Sequence, residues 1–65
     1  MTLNDLVLLM NANEPLMIRR IGQRWWTETT PDQIVNDLDE KYLTATVLEI
    51  WVSYNLYNAT MIELA

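Results

Sequence analysis

Neither cysteine nor histidine occurs anywhere in this 65-residue chain. No disulfide or thiolate–metal cluster therefore staples it, and the commonest zinc ligand is missing too. A chain this short also buries a smaller share of its surface than a larger protein does. Its fold must rest on one apolar core, or on that core together with contacts to a second copy. Apolar residues make up 51% of the sequence, enough for a true core and too many for a disordered segment. One glycine and two prolines leave no flexible linker. Residues 1–65 are therefore expected to form a single small α+β domain.

The same absences restrict the chemistry. Without histidine or cysteine there is no Ser–His or Cys–His pair to build a nucleophile. A lone glycine excludes the phosphate-cradling loops and dinucleotide fingerprints. Asp37, Asp39 and Glu40 form the one cluster of carboxylates, in a polar stretch at a helix end, and read as solvated surface. The expectation is a protein that is not an enzyme, with no catalytic residue, no cofactor and no metal.

Local patterning supplies the elements. Thr2 is a good helix cap, and Asp5 three residues later favours the positive end of the helix dipole. Leu3, Leu6, Val7 and Met10 follow at i, i+3, i+4 and i+7 and form an apolar stripe that Leu8 and Leu9 widen. Asn11 to Pro15 stop this helix. Leu16–Ile21 and Gln23–Glu28 read as two strands of a hairpin turning at Gly22. Because strand side chains alternate between faces, Trp25 and Trp26 are not expected to enter the same core. Thr30, Pro31 and Gln33 open a second helix of about two turns carrying Ile34, Val35 and Leu38. Thr44–Tyr54 is the strongest strand, and Ala59–Leu64 returns beside it after a turn at Asn55–Asn58. The predicted fold is an antiparallel sheet of three to four strands, built from two hairpins, with two helices in the order αββαββ. The first helix covers one sheet face. Leu48, Ile50 and Val52 are assigned to that face, while Val47 and Trp51 point to the other with Met17 and Met61 beside them.

The charge is uneven. Residues 1–24 carry two acids and three arginines, a net of +1, whereas residues 25–65 carry seven acids and only Lys41, a net of −6. A net charge of −5 argues against double-stranded nucleic acid, whose phosphates need many basic contacts. The arginines cluster in Arg19-Arg20-Ile21-Gly22-Gln23-Arg24-Trp25-Trp26. Arginine with tryptophan is the composition of protein-interface hot spots, and also of sites that stack bases. A structural alternative places one Trp in the core and pairs the arginines with the surplus acids. The apolar outward face of the long strand suggests self-association, unless the second helix covers it. The candidate partner-binding residues are Trp51, Trp25, Trp26, Arg19 and Arg24, for a protein partner and a homo-oligomer. Two other readings stand beside this one. Arg19, Arg20, Arg24 and the tryptophans could sequester a nucleotide or small ligand between subunits, or the acids could mimic DNA.

No apolar run approaches the roughly 18 residues of a membrane span. Met1 to Asp5 lacks the basic start of a signal peptide, so a cytoplasmic location is expected. Asn58-Ala59-Thr60 is then read as a chance glycosylation sequon.

The spacing of Leu3-x-Asp5-Leu6-x-x-Leu9, the hairpin over Leu16–Glu28, Thr30-Pro31-Asp32, Val47-x-x-Ile50 and the closing Ile62-Glu63-Leu64 resembles the small uncharacterised accessory proteins of phages and prophages of Gram-positive bacteria. That family brings no assigned activity and no site residues. The resemblance implies a phage-encoded protein in the host bacterial cytoplasm that binds a host or phage protein, as a host-takeover or counter-defence inhibitor would.

Overall fold

The computed structural model describes residues 1–37, 40–55 and 58–65. Their order is α1 (Leu3–Val7), β1 (Leu16–Arg20), β2 (Thr27–Thr29), α2 (Pro31–Asp37), α3 (Glu40–Leu43), β3 (Val47–Ser53) and β4 (Ala59–Leu64). Four strands form one sheet in the order β2-β1-β4-β3. Both hairpins are present, β1 with β2 and β3 with β4, each antiparallel. They join through parallel pairing of β1 with β4, Leu16 opposite Thr60 through Arg20 opposite Leu64. The sheet is therefore mixed, not antiparallel throughout, and a third helix, α3, precedes β3.

The parallel centre has a physical cause. β2 and β3 lie at opposite edges, so α2 and α3 carry the chain across the whole sheet. The returning β4 then fills the space between β3 and β1. This places the two most deeply buried strands in the middle, with the shorter or more exposed strands outside.

One face of the sheet holds the main core. Leu16 and Ile18 of β1 and Ile62 and Leu64 of β4 pack against Leu3 and Val7 of α1, Ile34 of α2 and Ala45. Leu6, Met10, Tyr42, Leu43 and Val47 close its rim. Of the expected α1 stripe, Leu3 and Val7 are buried and Leu6 and Met10 half-buried. Leu8 and Leu9 are exposed, so α1 is covered on one side only. Leu38 lies outside the described residues, as does much of the turn before β4; Asn58 there adopts φ +50°.

Thr2 caps α1 reciprocally with Asp5. The Asp5 amide donates to Thr2 Oγ1 at 3.2 Å, and the Thr2 amide donates to Asp5 Oδ2 at 3.1 Å. The bond from the Thr2 backbone, with that from its hydroxyl, holds the Asp5 carboxyl below the usual carboxylate range. The native state thus favours the ionised form. The resulting stabilisation is present above the unfolded-state pKa and is lost as pH falls through the lowered native value. Asp5→Asn is expected to flatten this acid limb, seen as urea midpoints that change less between neutral and strongly acidic pH.

Two strand assignments need correction. The expected strand Gln23–Glu28 is β2, only three residues long, and residues 21–26 form a wide loop. Side-chain bonds take over there: the Arg20 amide donates to Gln23 Oε1 at 3.0 Å, and Gln23 Nε2 donates to the Tyr42 hydroxyl at 2.9 Å. Gly22 turns the loop at φ +90°, a conformation that L side chains rarely adopt. In β3 the register shifts between Val47 and Glu49, so Leu48 is the extra residue of a bulge. The bulge places Val47 opposite Leu64 at the rim of the main core, not on the far face. Ile50 and Val52 do share the helix side, opposite Ile62 and Thr60.

Candidate binding face

The far face of the sheet is built in rows. Strand alternation and the observed register put Glu28, Met17, Met61 and Trp51 in one row across all four strands. Arg19, Glu63 and Glu49 form the next. Ala59 and Ser53 continue the face beyond Met61 and Trp51. The helices do not cover it, because α2 and α3 pack with α1 on the other side.

A loop residue takes their place. Trp26 is half-buried and packs on Met17, Ala59 and Met61, which form a second, smaller apolar cluster. Its indole meets that of Trp51 edge to face, with ring centroids 5.6 Å apart and planes at 81°. This is a favoured aromatic geometry. The Arg19 guanidinium lies 4.2 Å from the Trp26 ring centroid. Its Nη2 donates to Glu63 Oε2 at 2.7 Å, while its Nε is buried without a hydrogen-bond acceptor. The cation is thus held between a carboxylate on β4 and the aromatic face of a loop residue packed on the sheet.

Of the five candidate residues, the structure brings together Trp51, Trp26 and Arg19. Trp25 and Arg24 form a second pair on the loop, with the guanidinium carbon 5.2 Å from the Trp25 ring centroid. Trp25 is 76% exposed and Trp51 38%. The two adjacent tryptophans do differ in burial, although the loop and not strand alternation separates them. Arg20, on the helix side, turns away from this face; its Nε donates to the Ala65 carbonyl at 3.0 Å and its guanidinium carbon lies 5.9 Å from the Tyr42 ring.

Sequence reasoning missed Glu63 as the partner of Arg19 and Gln23 with Tyr42 as the brace of the loop. The Arg19–Glu63 contact follows from parallel pairing across 44 residues, which hairpin signals do not encode. The acidic cluster reads as before where it is described: Glu40 is exposed. Among the described residues no group of three acidic side chains is disposed to hold a metal ion. No helix is long and apolar enough to cross a membrane.

Three hollows among the described residues have no tryptophan in their lining, and the smallest, about 170 Å³, lies at Val52 and Ala59 near the edge of the Trp26 cluster. One of about 260 Å³ runs between Leu8, Met10 and Val35, and one of about 370 Å³ beside Glu28 and Gln33. None of these three hollows is lined by Trp25, Trp26, Trp51, Arg19 or Arg24. No family model, no curated protein and no solved structure matches this chain.

Proposed function

We propose that this protein is a non-enzymatic binding module, phage-encoded, that takes a host or phage protein on its Trp–Arg face. The observation that carries the reading is an aromatic pair fixed by an ion-paired arginine, next to a tryptophan left 76% exposed. Rigid, partly exposed Trp and Arg side chains are the usual anchors of protein interfaces, since little entropy is lost when they are covered.

Charge favours a protein over a nucleic acid. Arg19 is neutralised by Glu63, Glu49 follows in the same row, and Glu28 stands beside Met17. A phosphate backbone approaching this face would meet more carboxylates than free cations. The shallow relief favours a broad contact over an enclosed small ligand.

The test is affinity capture from host lysate with the wild type and with Trp25→Ala and Trp51→Ala. Both variants should keep the wild-type far-UV CD spectrum and lose the captured partner by at least about tenfold, the loss of one modest hot spot. Equal capture by all three proteins would sink the reading. Capture should also hardly change with salt, because the contact is largely apolar. A steep loss in salt would indicate DNA mimicry through the acids instead.

A further inference from the structure

The two edges of the sheet are protected very differently. β2 is three residues long, polar and charged at Glu28, the usual means by which a protein keeps an edge from pairing. β3 is seven residues long and contains Glu49 as its only charge, with no proline and no lysine. Its outer edge is covered only at the start. There the Val47 amide donates to the Met1 carbonyl at 2.8 Å, and Thr2 bridges Thr46 in antiparallel fashion. Among the described residues no other segment pairs with this edge.

Both faces of β3 are also underused. On the helix side Ile50 is 48% and Val52 50% exposed, while the bulged Leu48 is 48% exposed. On the other face Trp51 is partly exposed, and Tyr54 just beyond the strand is exposed. An added strand at such an edge gains main-chain hydrogen bonds along its length, with side chains of both faces meeting across the joint.

We propose that β3 pairs with β3 of a second copy, antiparallel, about a two-fold axis normal to the sheet that passes between the two Trp51 residues. An antiparallel edge is its own complement, which makes a second copy the fitting occupant. The register follows from the strand. Its bulge-free part runs from Glu49 to Ser53, and Trp51 is the midpoint. Pairing about that point sets Trp51 beside its copy and Ile50 opposite Val52 in both directions. Glu49 then faces Ser53, so the only charges on the strand never oppose each other. A register centred on Glu49 would put two carboxylates directly opposite and is disfavoured. Two four-stranded sheets become one of eight, with all helices on one side and both Trp–Arg faces on the other. This pairing does not depend on the partner reading above.

The test is size-exclusion chromatography with light scattering. The wild type should elute as a dimer. Ile50→Lys combined with Val52→Lys places four like charges along the joint and should halve the mass, with an unchanged far-UV CD spectrum. Should that variant fail to fold, cross-linking still decides. The chain has no cysteine, so Trp51→Cys alone should form an intermolecular disulfide with itself under mild oxidation. A Thr27→Cys control on the opposite edge should not. A monomeric wild type, or a dimer that cross-links through Thr27→Cys and not Trp51→Cys, would overturn the proposal.

Discussion

Ile62→Ala is expected to leave this chain largely unfolded at room temperature. Ile62 is fully buried at the centre of β4, with Ile18 beside it on β1 and Ile50 on β3. It packs in the one cluster that joins the sheet to α1 and α2. Removing such a side chain costs about 2–5 kcal/mol, through lost transfer energy and the cavity left behind. A domain of this size, without disulfide or metal, rarely has more than roughly 3–5 kcal/mol in total. The single change therefore consumes most or all of the stability. Far-UV CD with urea titration reads the result. Ile62→Val, costing about 1 kcal/mol, should keep a cooperative transition with a lower midpoint. If the alanine variant instead unfolds at a midpoint near the wild type, the sheet centre is not where the fold is held.

Trp26→Ala should have the second-largest effect, and the contrast with its neighbour makes it diagnostic. Trp26 shields Met17, Ala59 and Met61, contacts Trp51 and lies under the Arg19 guanidinium. Its loss uncovers that cluster and leaves Arg19 with Glu63 alone. For a half-buried indole we expect about 2–3 kcal/mol, toward the lower end of the range for buried aromatic truncations. Trp25→Ala should change stability by no more than about 0.5 kcal/mol, because its ring is largely in solvent. Paired urea titrations check both values. Similar losses for the two variants would mean that the loop, not the indole over the sheet, sets the stability.

The contrast also shows where the sequence is informative. Local signals were legible because the chemistry that makes them acts over three or four residues. The Thr2 cap, the Thr30-Pro31 start of α2 and the span Ala59–Leu64 all stand where the sequence placed them. The Gln33 amide indeed donates to Thr30 Oγ1 at 3.3 Å. Strand order was not legible, because parallel pairing of β1 with β4 leaves no mark on either strand alone. Both strands are apolar on the helix side whichever neighbour they have. The bulge at Leu48 was hidden for a related reason. Alternation alone puts Val47 with Trp51, and only the pairing with β4 reverses it. Of the candidate site, composition indicated Trp and Arg, yet the side chains that fix them, Glu63 and Met61, arrive from the far end of the chain.

The central place of β4 has a consequence for the order in which the sheet closes. β4 lies between β1 and β3, so the sheet has no complete middle until β4 is in place. Until β4 docks, the flank of β1 that it pairs with stays open. Contacts across 44 residues must then close in one late step, which is slow for so short a chain. In that interval the open edges of β1 and β3 are the surfaces a chaperone would have to shield.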